Sequence, residues 1–361
     1  MQAESMNESQ APRPKGFAAQ ALAQGSTDPR PLRVVLPGGS GQVGQMLARH
    51  LQERGHRVTV LTRSPYAAPW QTVHWDGEHT GDWTETLEGA DVCINLAGRS
   101  VNCRHNAANR QAIYESRIRS TRLLNQVISR LADPPRLWLN ASAATVYKRA
   151  LDPSGVDLPQ DETGPVSGGE PIADPDSTAA RWGRGREFSK RVVRDWEAAF
   201  FTHETPRTRK VALRSGVVFS PTPGNVFAVL SNLVRLGLGG TQGSGRQFVA
   251  WIHEADYARA VEFIVAHEEL AGPINITAPN PLPNREFMEA LRDAWDRPNG
   301  LPAPALFIHI GAFAMRTEAE LVLESCRAVP GRLLEAGFQF EFSEWPQAAE
   351  DLVRQWRQRE D

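Results

Sequence analysis

Cysteine is scarce: three residues in 361, at Cys93, Cys103 and Cys326. The number is odd, the spacings are wide, and neither a CxxC pair nor a histidine cluster at ligand spacing accompanies them. Neither a disulfide framework nor a zinc site is therefore expected. Cys93 stands in the apolar run Val92-Cys93-Ile94 and reads as a small buried hydrophobe. This usage predicts a reducing, cytoplasmic compartment. Also missing is any apolar run of about eighteen residues, the length a membrane-spanning helix needs. No excess of either charge exists: 40 Lys and Arg face 42 Asp and Glu, a net charge of −2, which argues against nucleic-acid and membrane-surface partners. Internal repeats are absent. Residues 1–31 are rich in Ala, Gln, Ser and Pro, lack a signal-peptide core, and carry Glu4 and Glu8, which fit a transit peptide poorly; they read as a disordered tail.

What is present is organised around Arg33-Val34-Val35-Leu36-Pro37-Gly38-Gly39-Ser40-Gly41-Gln42-Val43-Gly44. A β-branched run enters a turn, and Val43, Leu47 and Leu51 then recur every four residues, so the stretch reads as strand, tight turn and helix. Gly38, Gly41 and Gly44 each have a physical role in such a motif. One makes the turn, one lets a pyrophosphate approach the backbone, and one packs helix on strand. Glycines also cluster in ordinary turns. The context favours the first reading, because a second strand over 57–62 completes a mononucleotide-binding half at the expected length of roughly thirty residues. Where an NAD site carries Asp or Glu, this chain has Thr62, Arg63 and Ser64. An arginine attracts the 2′-phosphate that a carboxylate repels, so NADP(H) is favoured, the bland alternative being a surface arginine.

Further on, Val73-His74-Trp75 reads as a short strand, with Asp82 as the cap of a short helix. Asp91–Gly98 is an apolar strand ending in the small residues Ala97 and Gly98. A long helix spans about 109–131, and Arg136–Ser142 is the next strand. Residues 152–186 form a long Pro- and Gly-rich loop, expected to be mobile and over the site. Val211–Phe219 is the last long strand signal, the run 237–245 is glycine-rich, and Asn284 is the expected cap of a later helix. The domains expected are Rossmann at 32–220, completed by a segment near 247–268, and a smaller one at 221–361.

The stretches PGGSGQVG (37–44), VTVLTRSP (58–65), INLAG (94–98), ASAATVY (141–147), LRSGVVFSP (213–221), LGLGGTQGSGRQFVAWIH (236–253), GPINITAPNP (272–281) and RLLEAGF (332–338) together resemble an atypical extended short-chain dehydrogenase/reductase. More narrowly they resemble the NAD(P)-dependent epimerase/dehydratase-like proteins with a C-terminal domain of unknown function. The resemblance implies an α/β fold, a Rossmann-type doubly wound parallel sheet with a smaller C-terminal α/β substrate domain. It places Gly38, Ser40, Gly41, Gln42, Val43 and Gly44 at the phosphates, Arg63 and Ser64 at the 2′-phosphate, and Leu96, Ala97 and Gly98 at the strand end beside the cofactor. A homodimer is also implied.

The wider superfamily uses a Tyr-x-x-x-Lys pair with a Ser or Thr. Here Lys190 stands in the lysine position, for catalysis and for cofactor binding, but Arg186 replaces the tyrosine and Ala143 the hydroxyl residue. A guanidinium cannot transfer protons near neutral pH. Substitute candidates are Tyr147, which either reaches the nicotinamide side or packs under the long loop, and Ser142, which is either catalytic or a satisfied strand-end hydroxyl. Arg246 is a candidate for an anionic substrate group or a surface arginine; His253 is a candidate acid/base or a histidine bonding a helix start. Two functions follow: an NADP(H)-binding oxidoreductase or epimerase-like enzyme on a small polar or sugar-like substrate, or an NADP(H) sensor with little turnover.

Overall fold

The glycine-centred stretch folds into the middle of a seven-stranded sheet. The structure is a computed structural model that describes residues 30–167, 186–314 and 318–360, and the side chains of Arg186, 310–314 and 320–321 are outside that description. Residues 1–29 of the expected tail and residues 168–185 of the expected loop lie outside the described residues. Strands run β1 (Arg33–Pro37), β2 (Arg57–Thr62), β3 (Gln71–His74), β4 (Val92–Asn95), β5 (Leu137–Ala143), β6 (Arg209–Ser215), β7 (Val217–Phe219), β8 (Phe248–Val249), β9 (Trp251–His253), β10 (Gly272–Ile276) and β11 (Leu282–Pro283). Helices are α1 (Gln42–Glu53), α2 (Ala107–Ile128), α3 (Arg186–Phe201), α4 (Val226–Arg235), α5 (Glu254–Ala266), α6 (Asn284–Ala294), α7 (Ala305–Ala314), α8 (Glu320–Leu323), α9 (Gly331–Glu335) and α10 (Trp345–Glu360).

The large sheet has the order β10-β6-β5-β4-β1-β2-β3, with every pairing parallel. It is the Rossmann-type α/β sheet that the sequence predicts, its strand order reversing direction at β1 and β4. Alternation along each strand serves two cores. Val34, Leu36, Val60, Leu139 and Leu213 pack with Leu47 and Leu51 of α1 and Val261 and Ile264 of α5. On the opposite face Val35, Leu61, Cys93, Trp138 and Ala212 pack with Leu124 and Ile128 of α2 and Phe200 of α3. Helix α1 stops where Gly55 takes φ +86°, a left-handed turn that glycine adopts freely.

Several expected elements shift. Val211–Phe219 is two strands, not one: β6 joins the large sheet, whereas β7 pairs with β9. Gly216 makes the break, since a Cβ there would fall 2.8 Å from the Ala250 carbonyl oxygen. The sheet's edge strand β10, which the hydropathy reading passes over, pairs with β6 from Gly272↔Val211 to Ile276↔Ser215. Asp82 is the first residue of a 3-10 turn and makes no cap bond. Asn284 is likewise the first residue of α6, preceded by Pro283. Its side chain instead accepts from Gln242 N (2.8 Å), tying down the glycine-rich loop. Helix α2 starts at 107 because the Asn106 side chain accepts from Asn109 N (2.9 Å).

A third core belongs to the C-terminal part. Phe219, Phe227, Trp251, Phe287, Met288, Leu291, Trp345 and Leu352 are buried together, with the Phe287 and Trp345 rings stacked at 3.9 Å.

Candidate functional site

The carboxyl ends of β1, β2 and β4 meet at the glycine turn. Gly38 has φ +74°, and a Cβ on it would lie 2.6 Å from Ala97 Cα, so the turn and the end of β4 touch backbone to backbone. Gly44 is pressed on the other side: a Cβ would stand 2.4 Å from Gly39 Cα. Gly41 differs, because its Cβ would meet nothing nearer than Gly38 O at 3.8 Å. The space over Gly41 is open. Helix α1 begins there with no side-chain cap and no acidic residue in its first turn, which leaves the positive end of its dipole available to an anion.

Around this turn Thr62 Oγ1 donates to Ser40 Oγ (3.2 Å), and Ser64 N donates to Thr62 Oγ1 (3.4 Å). Gln42 Nε2 donates to Pro223 O (3.2 Å) from the loop before α4, and Val43 packs partly into the core. Arg63 is exposed and has no ion-pair partner among the described residues. The end of β4 is set by Asn95, whose amide donates to Asn140 Oδ1 (2.7 Å) and whose oxygen accepts from Ala97 N (3.1 Å). Leu96 N donates to Pro37 O (2.8 Å), and Gly98 is exposed.

Ser142 and Tyr147 sit deeper, in a closed chain of polar groups. Ser142, Arg214 and Asn275 are register partners across β5, β6 and β10. Ser142 Oγ donates to Glu197 Oε1 (2.6 Å), and Arg214 donates to both carboxylate oxygens of Glu197 (2.8 and 2.7 Å). Arg214 Nη1 donates to the Tyr147 hydroxyl (3.0 Å), which in turn donates to Asn275 Oδ1 (2.6 Å). Asn275 continues to Val329 O (2.8 Å), and its backbone N–H reaches Glu162 Oε1 (2.7 Å). Burial pushes the Tyr147 phenol up to about 12. Its proton and an acceptor site are both engaged within the protein, and its backbone bridges Val166 of the loop.

Lys190 is buried on α3 and shares a narrow crevice of about 30 Å³ with Thr145, Tyr147, Asp157, Gln160 and Cys326. That volume holds about one water molecule. Arg246 and His253 do not line it. Arg246 is exposed in the glycine-rich loop. His253 is 1% exposed, caps α5 by accepting from Ala255 N at Nδ1 (3.1 Å), and stacks on Phe342 at 3.9 Å. Its Nε2 lies 3.2 Å from Asp351, yet burial holds the imidazole below its usual range. A separate groove of about 500 Å³ between α6 and α10 is lined by Glu286, Glu289, Asp293, Glu344 and Glu350, a charge that repels a polyanionic nucleotide.

Sequence reasoning passed over Glu197, Arg214, Asn275 and Glu162. The one available signal was Arg214, a charge inside the otherwise apolar run Val211-Ala212-Leu213. Buried charges need partners, so such a residue announces a hidden carboxylate without saying which. Among the described residues no cluster of His, Cys, Asp or Glu is placed to hold a metal ion, and no helix is long and apolar enough to cross a membrane.

The parallel sheet, the glycine turn and the uncapped α1 define the class: a Rossmann-type protein of the extended short-chain dehydrogenase/reductase kind. The chain belongs to the NAD dependent epimerase/dehydratase family, which matches residues 34–277, and a domain of unknown function, DUF1731, matches residues 303–352. The epimerase family protein SDR39U1 of Bos taurus is 32% identical over 326 residues, covering 89% of this chain and 100% of the relative. The epimerase family protein YfhF of Bacillus subtilis is 28% identical over 325 residues, covering 89% and 98%. The crystal structure of the human epimerase family protein SDR39U1 (isoform 2) with NADPH superposes with a TM-score of 0.75 at 29% identity, covering 90% of this chain and 99% of that one.

Proposed function

We propose that this chain is an NADP(H)-binding oxidoreductase or epimerase-like enzyme acting on a small polar or sugar-like substrate. The observation that carries the nucleotide part is the room over Gly41 at the uncapped start of α1, flanked by the exposed Arg63, which has no ion-pair partner among the described residues. Gly38, Ser40, Gly41, Gln42 and Gly44 would cradle the diphosphate, Arg63 and Ser64 the 2′-phosphate, and Leu96, Ala97 and Gly98 the ribose side, with Val43 packing behind them. The human relative crystallised with NADPH supports the same choice. A bound nicotinamide would supply or accept a hydride.

For the proton the reading departs from Tyr-x-x-x-Lys. Tyr147 and Ser142 hold the architecture through Arg214 and Glu197, whereas Lys190 and Thr145 border the crevice. Lys190 would hold the ribose or pass a proton through water. A second reading, an NADP(H) sensor with little turnover, is favoured by the engagement of both candidate hydroxyls in internal bonds.

Calorimetric titration with NADPH and NADH tests the nucleotide reading. NADPH should bind more tightly, and Arg63→Ala should weaken NADPH about tenfold while leaving NADH nearly unchanged. If the wild type binds neither nucleotide, both readings fail.

A further inference from the structure

Beneath the end of β4 lies a guanidinium that has no counter-ion among the described residues. Arg117 on α2 donates from Nη1 to the carbonyl oxygens of Arg99 (3.0 Å) and Ile113 (2.9 Å), and its Cζ is 5.2 Å from the ring centroid of Trp196. A Cβ on Gly98 would stand 3.0 Å from that Cζ, so the cation lies directly under the exposed backbone of the strand end. No carboxylate pairs with it among the described residues. Burial lowers its pKa to about 10, which leaves it charged at neutral pH. Arg214, by contrast, is held bidentately by Glu197. Two carbonyls and an indole face offset part of the cost of Arg117, but no carboxylate among the described residues cancels its charge.

The direction of the cleft gives this charge a consequence. Arg63 marks the end of β2, the glycine turn the end of β1 and Gly98 the end of β4, and these strands are adjacent in the order β2-β1-β4-β5. A dinucleotide with its 2′-phosphate at Arg63 and its diphosphate at the turn carries its nicotinamide half to the β4 side, towards Arg117. The two oxidation states of that nucleotide differ by one positive charge, and the charge is on the nicotinamide ring. Resting on the NADP(H) reading above, we propose that Arg117 is a specificity-determining residue that makes the site prefer NADPH to NADP⁺. Its fixed positive charge disfavours the cationic ring and leaves the neutral ring unopposed. The attraction of Arg117 for the diphosphate is common to both forms and cancels in the ratio of their affinities.

The test is the ratio of dissociation constants for NADP⁺ and NADPH, measured by calorimetry on the full chain and on Arg117→Lys, Arg117→Gln and Arg117→Met. The wild type should favour NADPH by about fivefold or more, Arg117→Lys should keep most of that preference, and the two neutral variants should bring the ratio towards one. Arg117→Gln keeps a donor for the Arg99 and Ile113 carbonyls, so it serves if Arg117→Met fails to fold. A wild-type ratio near one, or neutral variants with the wild-type ratio, overturns the proposal while leaving nucleotide binding intact. Failure of the wild type to bind either nucleotide overturns the NADP(H) reading as well.

Discussion

The ends of β1 and β5 lie in one sheet, separated only by β4, yet they are built on opposite principles. At β1 the chain removes side chains: Gly38 and Gly44 allow backbone to press on backbone, and a Cβ on Gly41 would meet nothing nearer than Gly38 O at 3.8 Å among the described residues. At β5 the chain adds polar side chains and then satisfies them, from Ser142 through Glu197, Arg214 and Tyr147 to Asn275. An end with open space and an uncapped helix is suited to a ligand. An end whose donors and acceptors answer one another is suited to holding β5, β6, β10 and α3 together. Hydroxyl groups near a cleft are therefore weak evidence of chemistry until their partners are known.

Substitutions that separate the two ends sharpen this contrast. The largest expected effect is Glu197→Gln, which leaves the Arg214 guanidinium buried beside a neutral amide; denaturant titration should show a loss of about 4 kcal/mol. Gly44→Ala should follow, because its methyl group would stand 2.4 Å from Gly39 Cα and backbone must move. It should lower stability by about 3 kcal/mol in the same assay and weaken NADPH by well over tenfold. Tyr147→Phe is the smallest, removing the hydroxyl between Arg214 and Asn275 for about 1 kcal/mol, with NADPH affinity preserved in calorimetry. If Tyr147→Phe instead abolished turnover of a substrate found by screening, without loss of stability, the β5 end would be catalytic and the contrast would fail.

Local signals in the chain were sufficient for the β1 end. The spacing of Gly38, Gly41 and Gly44, the four-residue repeat of Val43, Leu47 and Leu51, and the pairing of the next strand through Arg33↔Arg57 all lie within about thirty residues, where turn chemistry and periodicity act. The same locality made Arg63 a candidate, at the end of the second strand. Tertiary structure decided the rest. Gly272–Ile276 becomes the sheet edge because β6 offers it a free parallel ladder, a property of the assembled sheet rather than of the segment's hydropathy. Tyr147 meets Arg214 and Asn275 across sequence separations of 67 and 128 residues, so no window of sequence contains the bond. Gly98 and Arg117 each had ordinary local readings, a small strand-end residue and one of several helix arginines. Only the packing of α2 against β4 places the Arg117 guanidinium against Gly98 with no carboxylate partner among the described residues, because the partner of such a charge depends on which elements close over it.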